Sequence, residues 1–257
     1  MDKYALITGA SSGIGREFAS IFAKNNVNLV LVARRTDLLT ALANELIEKH
    51  GVKVVTLSKD LSVEQQTQEL FNFCQNNGIE VEYLINNAGF GMNNLFTEIE
   101  WEVERNMIDL NIKALVLLTK LFLKPMISRK SGRILNVAST AAFIPGPRWA
   151  VYFASKAFVL SFSEAVATEI RGTGVQLTTL CPGPTRSEFG LISGANGTKL
   201  FNGENPSPKE VAEFGFKAMM KGKRLAIHGF KNKLIGEIIP RLVPRFLILD
   251  QTYKLSK

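Results

Sequence analysis

The chain has only two cysteines, Cys74 and Cys181, far apart and without a Cys-x-x-Cys spacing. That excludes a disulfide framework and a thiolate zinc site, and it predicts a reducing, cytoplasmic setting. No metal site is expected. Its two histidines carry no expected chemistry: His50 falls near a predicted helix C-terminus, where it suits the dipole, and His228 reads as structural. No uninterrupted apolar run reaches the ~20 residues of a membrane span. A first strand from about residue 3 leaves no room for a signal peptide. No repeat or linker divides the chain. Its 257 residues, 46% hydrophobic and 21% charged, suffice for one large α/β domain with a full core. Acidic excess is lacking too, and the net charge is +8. Residues 217–257 hold ten Lys/Arg and two acids, Glu237 and Asp250, whereas residues 1–216 hold 21 of each sign. The basic character belongs to the tail, so no nucleic-acid partner is expected.

What is present begins with Thr8-Gly9-Ala10-Ser11-Ser12-Gly13-Ile14-Gly15. It follows an apolar run, Tyr4 to Ile7, that reads as a buried strand. It precedes residues 16–25, with Phe18, Ala19, Ile21 and Phe22 at helical spacing. Strand, glycine-rich turn and helix form the first half of a nucleotide-binding βαβ unit. Gly9 permits a tight turn, Gly13 lets backbone approach a diphosphate, and Gly15 lets the helix pack closely. Ser11, Ser12 and Ile14 share that cradle, and the helix N-terminus favours an anion.

The second strand, 27–33, ends in Ala33 and then Arg34-Arg35. A carboxylate near this point would accept bonds from a ribose 2′-OH; two guanidinium groups instead suit a 2′-phosphate and favour NADP over NAD. Thr36 is expected to cap a helix ending at His50, with Gly51 as its stop. A third strand, 52–57, leads to Asp60-Leu61-Ser62. Ser62 and Gln65 predict a capping box for a helix that stops at Gly78. Asp60 either caps locally or accepts a bond from adenine. The fourth strand, 81–85, ends in Asn86-Asn87-Ala88-Gly89, where small residues again allow backbone approach. One long helix is expected over 98–128, with Asn111 as a polar residue inside its apolar stripe. A fifth strand, 133–139, carries Ser139 at its C-terminal end, where ligands bind in open α/β sheets. Residues 143–147 break the pattern, and a helix follows over 149–171. A sixth strand, 176–180, leads to Cys181-Pro182-Gly183-Pro184. Residues 185–206 read as a mobile loop or lid. Ser207-Pro208-Lys209-Glu210 predicts a capped helix start, and 225–228 a seventh strand.

Tyr152-Phe153-Ala154-Ser155-Lys156 places a phenol and an ammonium four residues apart on one helix face. A free tyrosine titrates near ~10, and a fixed positive charge is expected to lower that value toward useful acid–base chemistry. Ser139 stands 13 residues before Tyr152. Together the glycine turn, Asp60, the Asn86–Gly89 run, Asn111, Ser139, Tyr152-x-x-x-Lys156 and Pro182-Gly183 resemble the short-chain dehydrogenase/reductase family over about residues 3–230. The resemblance implies a single-domain Rossmann fold: a doubly wound, mostly seven-stranded parallel sheet with helices on both faces. It implies NADP as cofactor, held at Gly9, Ser11, Ser12, Gly13, Ile14, Gly15, Arg34, Arg35, Asp60, Leu61, Asn87, Ala88, Gly89, Tyr152, Lys156, Pro182, Gly183 and Thr185. Tyr152 would protonate a substrate carbonyl, with Ser139 bonded to the same oxygen. Lys156 would bind the nicotinamide ribose and tune Tyr152, and Asn111 would support a water relaying protons to Lys156. The family often has an aliphatic residue, a spacer and then Thr after Pro-Gly; this chain has Pro184-Thr185-Arg186-Ser187. Thr185 and Ser187 both stand as candidates for the carboxamide contact. The family also implies a homodimer or homotetramer.

The expected reaction is hydride transfer with a hydrophobic ketone, aldehyde or 3-oxoacyl substrate. Phe90, Met92, Phe143, Ile144, Trp149, Phe189 and Leu191 lie near the site in sequence, with Phe143 and Phe189 chosen as substrate contacts. Residues 1–230 are expected to form the catalytic domain and 231–257 a basic amphipathic extension. That extension is expected to pack on the body or on a partner subunit, with weak contact to an anionic membrane as the alternative. The rival functional readings are a non-catalytic NADP sensor and a membrane-surface lipid-binding protein.

Overall fold

A computed structural model describes residues 2–199 and 201–257. Its centre is a seven-stranded parallel sheet in the order β3-β2-β1-β4-β5-β6-β7. The strands are β1 (Lys3–Thr8), β2 (Asn28–Ala33), β3 (Val54–Ser58), β4 (Glu80–Asn86), β5 (Gly132–Val137), β6 (Val175–Cys181) and β7 (Leu225–Ile227). The chain builds outward from β1 to β3, then returns to place β4 against β1. That reversal is a switch point, and a crevice opens beyond the strand C-termini there.

Helices cover both faces. On one, α1 (Gly13–Lys24), α2 (Thr36–His50) and α8 (Pro208–Met220) pack around Phe18, Phe22 and Leu31. On the other, α3 (Glu64–Asn76), α5 (Leu115–Ser128) and the end of α6 (Ala150–Glu169) enclose Leu70, Leu118, Phe122 and Ile134. Both strand faces are buried, so β1 and β2 read as continuous apolar runs without alternation. Helix α6 is the one helix among the described residues long and apolar enough to cross a membrane. It carries Tyr152 and Lys156 and buries Val159, Leu160 and Ser163.

Several local expectations change. Thr36 does not cap α2; the flanking residue is Arg35, whose side chain is drawn to Ser11 and Glu188. The Ser62–Gln65 capping box does not form. Asp60 Oδ1 accepts from both the Ser62 amide (3.0 Å) and its hydroxyl (2.7 Å), so α3 starts later with Val63 as its flank. Gln66, one residue on, takes the reaching-back role and accepts from the Asp60 amide. The expected 98–128 helix is α4 (Trp101–Ile108), a wide π-helical stretch Asp109–Ala114, and then α5. Such bulges insert where a side chain has work away from the helix ladder, and Asn111 sits inside this one. The 185–206 segment is not wholly irregular: it holds α7 (Phe189–Ile192). The Ser207–Glu210 capping box forms as expected, with Pro208 in the first turn. The tail continues through α9 (Phe230–Lys233), a π-helical turn Leu234–Ile238, α10 (Ile239–Leu242) and α11 (Arg245–Leu255).

Candidate active site

At the switch point, Thr8 laces β1 to β4. Its hydroxyl donates to the Ile85 carbonyl (3.2 Å) and accepts from the amides of Asn87 and Ala88 (both 3.0 Å). Gly9 and Gly13 take left-handed φ values of +65° and +55°. A Cβ on Gly15 would stand 2.3 Å from the Gly9 carbonyl oxygen, so only glycine lets α1 close on the turn. Gly15 is therefore a packing residue and does not line the cleft, contrary to its place among the expected cofactor contacts. Beside Gly13, a Cβ would meet only Ser187 Cβ, at 3.5 Å.

A cleft of about 910 Å³ runs along the strand ends. Every other expected cofactor residue lines it, from Arg34, Arg35, Asp60 and Leu61 through Gly9, Ser11, Ser12, Gly13, Ile14, Asn87, Ala88 and Gly89 to Tyr152, Lys156, Pro182, Gly183 and Thr185. The uncapped N-terminus of the twelve-residue α1 opens there, and no Ser12 side-chain cap closes it. Free helix amides beside a bare glycine backbone fit a dinucleotide diphosphate. Thr185 and Ser187 both lie on the wall; the Thr185 hydroxyl donates to the Gly183 carbonyl (3.0 Å).

At the far end, α6 presents Tyr152, and Ser139 stands just past β5. The Ser139 oxygen accepts from the Ala141 amide (3.1 Å), which fixes its direction. Lys156 is buried, and its Nζ donates to the Val137 carbonyl (2.9 Å). Burial lowers the Lys156 pKa to about 8. Burial likewise raises Tyr152 to about 12, although the Ser139 hydroxyl pulls it back in part. The phenol thus lies above its ordinary value, where a lowering by Lys156 was expected. The Nζ is 5.8 Å from the ring centroid, and desolvation outweighs its field.

Asn111 lies off the cleft wall, 1% exposed. Its Nδ2 donates to the Phe90 carbonyl (2.9 Å) and the Ser155 hydroxyl (3.1 Å), and its Oδ1 accepts from the Phe90 amide (3.1 Å). Ser155 in turn donates to the Tyr152 carbonyl (2.7 Å). Both Nδ2 hydrogens are thus used in joining the Gly89–Phe90 loop to the turn that carries Tyr152, while Oδ1 accepts one bond and keeps a second lone pair.

Phe143, expected as a substrate contact, does not line the cleft. Its half-buried ring packs against the cluster of Leu115, Val159, Leu160 and Ile227, and a Cβ on Gly236 would meet it at 2.9 Å. Leu191 points to solvent, 66% exposed. Phe189 does line the cleft, as do Phe90, Met92, Ile144 and Trp149. Sequence reading missed Phe153 and Phe201, and it missed the tail residues Ile235, Thr252 and Leu255, which close the same wall. Phe201 and Phe189 stack with Trp149 at 6.5 and 6.3 Å. On α11 and at its C-terminal flank the buried Ile248, Thr252 and Ser256 recur every four residues, a helical period visible in the sequence. Asn93 ties the parts together. Its amide donates to the Ser193 carbonyl (2.8 Å), its Nδ2 donates to the Ser256 carbonyl (3.1 Å), and its Oδ1 accepts from Arg148 Nε (3.1 Å).

A doubly wound parallel sheet with a glycine cradle at its switch point defines a dinucleotide-binding protein. The chain belongs to the short-chain dehydrogenase family, whose model, described as "short chain dehydrogenase", matches residues 3–191. It is 36% identical over 187 residues to mouse (Mus musculus) 17-beta-hydroxysteroid dehydrogenase type 3, covering 71% of this chain and 60% of that one. It is 37% identical over 178 residues to the very-long-chain 3-oxoacyl-CoA reductase of Phaeosphaeria nodorum, covering 68% of this chain and 52% of that one. The chain thus spans between half and two thirds of the length of these relatives. Among solved structures, a short-chain dehydrogenase from Sphingobium yanoikuyae in complex with NADPH superposes with a TM-score of 0.83. That pair is 30% identical and covers 90% of this chain and 89% of that one.

Proposed function

We propose that this protein is an NADPH-dependent carbonyl reductase, reversible as an alcohol dehydrogenase, acting on a hydrophobic ketone, aldehyde or 3-oxoacyl substrate. The observation that carries the reading is the division of one cleft: arginines at one end, Ser139, Tyr152 and Lys156 inside an aromatic wall at the other. The NADPH complex of the Sphingobium neighbour and the hydroxysteroid and oxoacyl names of the relatives support it.

The nicotinamide, when bound, supplies or accepts the hydride. The chain's residues do the rest. Gly9, Gly13 and the α1 N-terminus receive the diphosphate, and Arg34 and Arg35 the 2′-phosphate. A phenol at about 12 is fully protonated at neutral pH, so Tyr152 donates its proton to the carbonyl oxygen in the reductive direction. The Ser139 hydroxyl donates to that same oxygen and holds it in line. Lys156, charged below about 8, stabilises the phenolate left behind, which recovers its proton from solvent. Phe189, Trp149 and Phe201 exclude water from the reacting carbonyl. The family expectation of a homodimer or homotetramer suits the exposed Trp101 and Phe158 on α4 and α6.

A second reading concerns the tail. One side of it packs on the body, but Phe230, Leu242 and Phe246 are exposed beside Lys231, Lys233, Arg241 and Arg245. This combination supports contact with an anionic membrane, and co-sedimentation with anionic vesicles at low salt tests it. The main reading is tested by NADPH consumption over a panel of ketones, aldehydes and oxoacyl thioesters. Turnover of none of them would leave the cofactor-sensor reading in its place.

A further inference from the structure

We propose that Glu188 is a built-in competitor for the cofactor's 2′-phosphate: it holds the Arg35 guanidinium until the phosphate takes its place, and its release unpins the segment covering the substrate end. The inference rests on the NADP reading above and goes beyond it, because it assigns the discrimination in part to a residue 153 positions from Arg35 in the chain.

The geometry is a bridge across the cleft. Arg35 Nη2 lies 2.8 Å from Glu188 Oε2 and 3.2 Å from Ser11 Oγ. The two partners are 153 residues apart in the chain. The Glu188 carboxyl is held below its usual range, chiefly by Arg35 and then by Ser12. Glu188 flanks the start of α7, and its carbonyl accepts from the Ile192 amide (3.0 Å). The next residue, Phe189, packs on the Tyr152 ring with centroids 5.3 Å apart. One acid therefore joins the expected phosphate site to the aromatic wall of the substrate site.

The ion pair is easily exchanged. Its side chains are 42% and 45% exposed, so it is screened and weak. A phosphate dianion offers the guanidinium a bidentate, more highly charged partner. Once seated, it would also repel a carboxylate left within hydrogen-bond reach of the same arginine. A cofactor without the 2′-phosphate brings no such competitor and leaves the bridge intact.

The test is Glu188→Gln, which keeps the length and removes the charge, with 2′,5′-ADP and 5′-AMP as probes in calorimetry. The variant should bind 2′,5′-ADP about fivefold more tightly than wild type, the scale of an exposed ion pair. Its affinity for 5′-AMP should stay within about twofold, as for a group distant from the shared moiety. In wild type, amide exchange over 189–194 should quicken with 2′,5′-ADP and not with 5′-AMP; in the variant it should be fast without ligand. Equal tightening of both probes, tightening of neither, or exchange indifferent to the 2′-phosphate overturns the proposal. Arg35→Met separates the two layers. If it binds 2′,5′-ADP as tightly as wild type, the phosphate assignment at Arg35 has failed, and the proposal with it. If it weakens 2′,5′-ADP while Glu188→Gln changes nothing, only the role of Glu188 is lost.

Discussion

The two ends of the cleft are made of different material. At the cofactor end the wall is largely backbone. Gly9 and Gly13 hold left-handed turns, Gly15 admits no Cβ, and Thr8 stitches two strand ends together through amides. At the substrate end the wall is side chain: Trp149, Phe153, Phe189 and Phe201 from three segments, and Ile235 and Leu255 from the tail. A backbone wall is set by the fold and recognises what all dinucleotides share. A side-chain wall can be rebuilt residue by residue without disturbing the sheet. The family match, which stops at residue 191, ends inside the second kind of wall. The difference explains why the cofactor class follows from kinship while the substrate is particular to the chain.

The largest expected effect separates chemistry from binding. Tyr152→Phe should lower kcat by about 10³-fold, the range for loss of a positioned general acid, while NADPH affinity by fluorescence titration stays within about twofold. Turnover that survives would show the phenol standing idle. Next comes the backbone wall itself. Gly15→Ala drives a methyl to 2.3 Å from the Gly9 carbonyl oxygen. It should cost about 3 kcal/mol, the upper range for overpacking, and lower Tm by roughly 6–12 °C in a domain of this size. An unchanged melt would mean that the turn is free to relax and that the cradle is softer than its geometry.

The same division decides what the sequence reveals. The cradle was legible because each glycine there answers a local steric demand that no other residue meets. Parallelism and double winding were legible for a similar reason: buried strands alternating with capped helices leave few topologies. Phe143 was not legible. An aromatic six residues past the end of β5 faces either way, and the Gly236 gap that receives it is 93 positions downstream in the numbering. Asn111 was found as a misplaced polar residue, yet its use required Phe90 and Ser155 in space. The Tyr152 shift was mistaken because spacing reports a neighbouring charge and not the loss of water around both groups. The tail's place in the cleft wall is a long-range contact, with only the four-residue period of α11 to hint at it.

A third prediction turns on the cost of the chemistry. The folded-state pKa of Lys156, about 8, lies below its ordinary value of 10.5. Between these values the unfolded chain holds a proton that the folded chain lacks, so wild-type stability rises with pH across that window. Below about 8 the full penalty of a buried ammonium remains. Lys156→Met should therefore be more stable than wild type at pH 7 by roughly 2 kcal/mol, a discounted value of 1.36 kcal/mol per pKa unit. The advantage should vanish by pH 10.5. Urea denaturation at the two pH values reads it, and a pH-independent difference would place the gain in packing instead of charge.

The smallest expected effect bears most directly on the substrate wall. Asn93→Ala keeps the amide bond to Ser193 but strips the side-chain bonds to Ser256 and Arg148. A carbonyl and a guanidinium nitrogen then lose their partners, at about 1–2 kcal/mol. Neither bond involves a residue of the glycine cradle, so the cofactor end should hold its shape. The end of α11, which brings Leu255 to the cleft, should loosen. The expected outcome is a KM for a bulky hydrophobic ketone raised about fivefold, equivalent to about 1 kcal/mol, with kcat and NADPH affinity unchanged. A rise in KM for small ketones of the same size would contradict it, since these do not reach the tail. Weaker NADPH binding would go further and show that the two walls are one mechanical unit, with the tail supporting the cradle as well as the substrate.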